Sequence, residues 1–398
     1  MFTTTFYRDR LQSMLGRQTA NTGRIAVVGI GGAGGNAIDT MMQEGIDGVD
    51  TIAINTDSQV LATNQAGTCL QVGRENTGGL GAGADPEVGA RAVETNREQI
   101  RRLLEPYDMV IVTAGMGGGT GTGAAPIVAS IAQEMGVLTI GIVTRPFSCE
   151  GGPRMETAEE GIERLRTEND TLIVIPNDRL LDLTNERTSL KEAFRIADKV
   201  LCDATRGIVE IITHQGLVNL DFADVERTMK DGGKGMLGVS TQFSARQSQT
   251  TNMNGSGRSS NGAQQDTEQT NRSEKAAIEA ISSPLFNGYS IQGAENVLVN
   301  VKGGEALGFQ DVMSAVEVIQ AEAGNDSEVL FGAVVDEEMN DHFQVTVIAT
   351  GVNRAEPSRP AVSSPPEVET QPNQVPSTEL EGRSTSDREP KKRTGNVE

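Results

Sequence analysis

The sequence predicts an α/β fold: a parallel sheet covered by helices, one long central helix, then a second, α+β domain and a tail. Three observations carry that reading. Short apolar runs alternate with amphipathic stretches from Arg24 to Ile175, as in strands buried on both faces between crossover helices. Glycine-dense segments fall where strands give way to helices, most densely at 115–123. Leu190, Phe194, Ala197, Leu201, Ala204, Ile208 and Ile211 then recur at helical spacing, giving 189–213 one apolar face.

Taken in order, residues 1–22 are polar and aperiodic, so a flexible N-terminal segment is expected. Arg24-Ile-Ala-Val-Val28 is a short strand, running into Gly29-Ile-Gly-Gly-Ala-Gly-Gly-Asn36 and a helix over 37–44. A GxGxxG between strand and helix makes this unit Rossmann-like, and a dinucleotide-binding enzyme is one reading of it. The next strand, 51–54, ends in Asn55-Thr-Asp57, where an acid can meet a ribose. A second glycine-dense stretch, 77–85, leads to Pro86, which suits the first turn of a helix continuing to Leu104.

Strand 109–113, the loop Gly115-Met-Gly-Gly-Gly-Thr-Gly-Thr-Gly123 and a helix over 124–133 are the centre of the pattern. Six glycines and two threonines in nine positions exceed what a tight turn needs. Glycine lets the backbone approach a ligand closely, and unpaired amides at a helix start favour an anion. Thr120 and Thr122 add hydroxyl donors, so phosphate binding is expected here. The loop has no lysine and does not match a P-loop. Strand 137–143, the turn Arg145-Pro-Phe-Ser-Cys-Glu150 with Arg154, a helix over 155–167 and strand 171–175, ending at Pro176-Asn-Asp178, complete the sheet. Such sheets bind ligands at the carboxyl ends of their strands.

After the long helix comes Asn219-Leu-Asp-Phe-Ala-Asp224, which read alone is an N-cap with first-turn acids. Residues 235–243 read as the first strand of the second domain. The tract 244–274 is rich in Ser, Gln, Asn, Thr and Gly, and a disordered surface insertion is expected. Helices over 274–281 and 309–323 and strands at 296–301, 328–334 and 343–350 follow. Beyond 352 the Pro-, Ser-, Glu- and Arg-rich composition predicts a disordered tail.

Bulk properties exclude several classes. A net charge of −21 argues against nucleic acid as a partner. Cys69, Cys149 and Cys202 are scattered and odd in number, so neither a disulfide framework nor a metal site is expected. With only His214 and His342 present, histidine catalysis is not expected either. There is no apolar run of membrane-spanning length and no signal-peptide pattern, which predicts a cytoplasmic protein without direct membrane insertion.

The motifs at 31–36, 55–57, 78–83 and 115–126, Pro146-Phe147 with Glu150 and Arg154, Ile175-Pro-Asn-Asp178 and the NxDxxD at 219–224 together resemble the FtsZ family of tubulin-like cell-division GTPases. The second domain adds Ile281-Ser-Ser-Pro-Leu285 and Val345-Thr-Val-Ile-Ala-Thr-Gly351. The likeness spans 24–243 and 274–352. It implies a GTP-binding domain over 23–188, a central helix with a catalytic acidic loop over 189–233, and a C-terminal α+β domain over 234–352.

The resemblance also implies a ligand, GTP/GDP. Gly32, Ala33, Gly34, Gly35, Asn36, Gly119, Thr120 and Gly121 would surround the phosphates. Glu150 and Arg154, with Asn177, would lie by the ribose and phosphates, and Phe194 and Asp198 would meet the guanine. Mg²⁺ would be held mainly by phosphates and water, with no protein metal site. Asp221, Asp224 and Asn219 would be catalytic, which replaces the capping reading. From Asp198 to Asn219 along one helix is about 30 Å, so these acids would serve the nucleotide of the next subunit. The implied protein is a head-to-tail homopolymer of the midcell division ring, a GTPase activated by polymerisation. Division-machinery adaptors are implied partners, although the end at 389–398 holds no recognisable apolar docking peptide. The alternatives are a dinucleotide oxidoreductase, a non-hydrolysing GTP-binding scaffold, and a tubulin-like filament for cell shape or plasmid movement.

Overall fold

The computed structural model describes residues 23–181, 188–213, 220–240, 243–244, 272–286, 288–340 and 342–352. The expectations for 1–22, for the tail and for nearly all of the 244–274 insertion lie outside the described residues, as does Asn219.

Apolar runs become strands because each is covered on both sides. Strands β1 (Ile25–Ile30), β2 (Asp50–Asn55), β3 (Thr68–Gln71), β4 (Met109–Gly115), β5 (Leu138–Arg145) and β6 (Thr171–Pro176) pair in parallel, in the order β6-β5-β4-β1-β2-β3. Alternate residues serve opposite layers, as the two-residue period of a strand requires. Ile25 and Val27 join Met109 and Ile111 beneath α1 (Gly31–Glu44), while Ala26 and Val28 join Val110 and Val112 in the other layer. That layer is covered by α3 (Pro86–Thr95), α4 (Arg97–Leu104), α5 (Thr120–Glu134) and α6 (Gly152–Arg166). A short helix, α2 (Ser58–Thr63), precedes β3. The long helix α7 (Leu190–Thr213) packs in the first layer through Ala197, Leu201, Ala204 and Ile208.

Strand β7 (Gly233–Val239) joins the two parts of the chain. Its first residues pair in parallel with β6, and its last pair antiparallel with β11 (His342–Thr350). The sheet continues through β9 (Asn296–Gly303) and β10 (Glu328–Val335), with a two-residue β8 (Phe243–Ser244) beside β11. A helix α9 over 272–281, and α10 (Phe309–Ala323), cover this second sheet, and α8 (Phe222–Met229) precedes β7.

Several elements differ from expectation, each for a local reason. The first glycine segment is not a loop but the opening turns of α1, which starts at Gly31 rather than 37. A Cβ on Gly34 would lie 2.5 Å from the Thr113 carbonyl, so glycine there seats the helix on the sheet. The helix expected over 86–104 breaks at Asn96, whose side chain accepts a hydrogen bond from Gly73 N at 2.9 Å. Strand β3 is an edge strand with two exposed residues and no apolar run, so no periodicity announced it.

Candidate nucleotide cleft and acidic segment

The carboxyl ends of β1, β4, β5 and β6 open into one cleft of roughly 230 Å³. Gly32 and Ala33 line it from α1, Gly118 to Gly121 from the β4–α5 junction, Asn177 from beyond β6, and Phe194 and Asp198 from α7. The two helix starts touch: a Cβ on Gly31, at φ +72°, would stand 2.9 Å from Gly121 N. Neither α1 nor α5 has a side-chain cap at its N-terminus. First-turn amides without intrahelical partners therefore face the same cleft, an arrangement that suits an anion.

The remaining residues sort by position. Thr120 lines the cleft, but Thr122 is buried and accepts a hydrogen bond from Gly117 N at 2.8 Å, closing its own turn. This corrects the expectation that both threonines donate to a ligand. Gly34 and Gly35 are buried and do not line the cleft, and the Gly35 carbonyl accepts from Asn64 Nδ2 at 2.9 Å. Asn36 is exposed outside the cleft lining. Glu150 accepts from Phe147 N at 2.8 Å and pairs with Arg154 Nε at 3.1 Å, so both its oxygens are occupied. Phe194 meets Phe147 edge-on, ring centroids 5.4 Å apart, and keeps part of its surface open to the cleft.

Two groups in the cleft need donors. Asn177 Oδ1 is buried and has no hydrogen-bond partner among the described residues. Burial alone pushes the Asp198 carboxyl up to about 6, and no described residue donates to it. Guanine presents an N1–H and an amino group side by side, donors that suit such a carboxylate, whereas adenine does not.

The acidic segment lies at the other end of the sheet. Asp221 caps α8 through a bond from Asp224 N to its Oδ1 at 2.9 Å, so the simple capping reading is correct as local structure. Asp224 pairs with Arg227 at 3.5 Å, and Arg227 also holds Glu328 at 2.7 Å. The Phe222 ring packs on Gly23, before β1 begins, whereas the cleft opens at Gly31, after β1 ends. At ~3.3 Å per residue, that separation is about 25 Å. Helix α7 makes the same traverse, from Asp198 in the cleft to Thr213 beside Gly48 at the start of β2. The described helix runs to Thr213, and the expected continuation to Asn219 lies outside the described residues.

Two uncapped helix starts and a buried carboxylate at the carboxyl ends of a parallel sheet are the features of a nucleotide-binding α/β protein. Comparison gives the family. Residues 24–185 match the model of the Tubulin/FtsZ family GTPase domain, and residues 257–353 that of the FtsZ family C-terminal domain. The chain is 38% identical to an FtsZ of M. jannaschii solved as an empty dimer, over 87% of this chain and 92% of that one, with a TM-score of 0.75. It also superposes on CetZ2 from Haloferax volcanii, a GTPγS-bound protofilament, with a TM-score of 0.68 at 22% identity, covering 84% of this chain and 94% of that one. This chain belongs to the FtsZ family.

Proposed function

We propose that this protein is a GTP-dependent, self-assembling component of the cytoplasmic cell-division ring, and that GTP is hydrolysed where two subunits meet head to tail. The separation of the cleft from the acidic segment, about 25 Å along β1, carries the proposal. Asp221 and Asp224 cannot reach a nucleotide held by their own chain, but stacking a second copy end on end brings them to its cleft. There, with Asn219, they orient and polarise the attacking water, while the first-turn amides of α1 and α5 stabilise charge on the terminal phosphate. The FtsZ relative solved as a dimer supports self-association.

Gly32, Ala33, Gly119, Thr120 and Gly121 hold the phosphates, Glu150, Arg154 and Asn177 bound the ribose side, and Phe194 and Asp198 read the base. Bound Mg²⁺ supplies neutralisation of phosphate charge. Glu150 is already engaged by Arg154, and the one described group of carboxylate and thiol ligands close enough for an ion, Glu44, Cys202 and Asp203, lies outside the cleft lining. That arrangement fits an ion held mainly by phosphates and water. Among the described residues no helix is long and apolar enough to cross a membrane, and adaptor proteins of the division machinery are the proposed link to it.

The test is phosphate release against protein concentration, followed together with light scattering, for the wild type and Asp221→Asn. Asparagine keeps the cap and removes the charge. The specific rate should rise from near zero above a threshold concentration, and the variant should assemble yet hydrolyse poorly. A rate per molecule independent of concentration would place a complete site in one chain and end the trans reading.

A further inference from the structure

Beneath the phosphate end of the cleft lies a threonine that none of the motifs explains by itself. Thr56 follows β2 and is fully buried, and its Oγ1 stands 2.7 Å from Oγ1 of Thr120, the first residue of α5. A hydroxyl has one proton to give and two lone pairs to receive. Between two hydroxyls, either can donate, so the surroundings decide. Thr120 borders the cleft and has other directions for its proton. The Thr56 hydroxyl has no second hydrogen-bond partner among the described residues. If Thr120 donated, the Thr56 proton would be buried and unpaired, which is strongly disfavoured.

We infer that Thr56 is a positioning residue: it donates to Thr120 and thereby turns the Thr120 hydroxyl proton into the cleft, as a donor for an acceptor-only anion, the phosphate chain of the nucleotide. This rests on the GTP-binding reading above and assigns a role to a residue outside the cleft lining. Thr56 is itself held in place. Thr77 Oγ1 gives its proton to the Gly73 carbonyl at 3.0 Å, stands 3.4 Å from the Thr56 carbonyl, and accepts from Gly79 N at 3.2 Å. The segment 73–79, in which Gly73, Gly78 and Gly79 all have positive φ, thus lies against the Thr56 backbone.

The experiment compares GTP and guanosine binding by calorimetry for the wild type, Thr56→Val, Thr56→Ser, Thr120→Val and the double valine variant. Thr56→Val keeps the shape and removes the proton. It should weaken GTP by about tenfold or more, the size of a lost bond to a charged acceptor, and leave guanosine unchanged. Thr56→Ser should restore wild-type affinity, and Thr56→Val should have no further effect in the Thr120→Val background. A merely structural role would weaken guanosine and GTP together, or would add to Thr120→Val, and either result overturns the assignment. Should Thr56→Val melt early, Thr56→Ala removes the same proton without placing a methyl against Thr120, and the same split between ligands decides. Wild-type protein that fails to bind GTP would sink the parent reading as well, whereas normal GTP binding by Thr56→Val sinks this inference alone.

Discussion

Asp198 offers the sharpest quantitative test of base recognition. Its carboxyl is pushed up to about 6 by burial alone, and guanine donates to the ionised form. Protonation must therefore compete with the ligand. With that value, an apparent dissociation constant multiplies by 1 + 10^(pKa − pH), about 1.1 at pH 7 and about 11 at pH 5. Guanosine is the right probe, because it has no phosphate to titrate in this range. Calorimetric affinity should fall about tenfold between pH 7 and pH 5, and Asp198→Asn should be weak and flat across it. The stability sign is opposite to that of a salt-bridged carboxylate. Because the folded value is raised, the nucleotide-free fold binds the proton more readily than the unfolded chain. This group's destabilisation of the empty protein, full at pH 7, is therefore relieved as pH falls through 6 towards the ordinary value of 3.8. Guanosine affinity independent of pH in the wild type, or an Asp198→Asn profile parallel to it, would refute the contact between this carboxylate and the base.

The glycines of the 115–123 segment should divide into two classes. A Cβ on Gly118 meets nothing within 4 Å, so Gly118→Ala should leave the melting temperature within a degree or two and act only on nucleotide affinity. A Cβ on Gly123 would lie 2.8 Å from Ala90 N and from the Pro86 carbonyl carbon, and closer still to its oxygen. Forcing α3 and α5 apart should cost about 1–3 kcal/mol, of which alanine's helix propensity returns at most about 1. Gly123→Ala should then melt several degrees lower in calorimetry, and an unchanged transition would refute the packing role. In the second domain, Lys302 bridges Glu210 of α7 at 2.8 Å and Asp336 at 2.9 Å with its side chain only 15% exposed. Burial works against its charge, but the bonds and charges of Glu210 and Asp336 prevail and hold its pKa above the usual value. Lys302→Met leaves two carboxylates facing each other, and denaturant unfolding should show a loss of about 3 kcal/mol, largely recovered in a variant that also carries Glu210→Gln.

Much of this was legible because strand burial and glycine placement are local signals. Every strand of the nucleotide-binding sheet except β3 stands in an apolar run, and the cleft residues from Gly119 to Asp198 converge because they terminate adjacent parallel strands or face them from α7. What the sequence did not separate is why each glycine is there. Gly34 and Gly123 are glycines because another backbone occupies the space a Cβ would need, whereas Gly32 and Gly118 have open space and border the cleft. A motif reads identically in both cases, since the deciding atoms, the Thr113 and Pro86 carbonyls, come from other parts of the chain. Thr56 escaped for the same reason: its partner is 64 residues away, and a threonine after a strand carries no signal of its own. Asp221 shows the converse. Its capping bond is fully local and was legible, yet a cap explains only one carboxylate oxygen and says nothing of the second acid at Asp224. In the proposed reading, it is the placement of α8 at the end of the sheet opposite the cleft that would give a capping acid and a first-turn acid a use in a second copy of the chain.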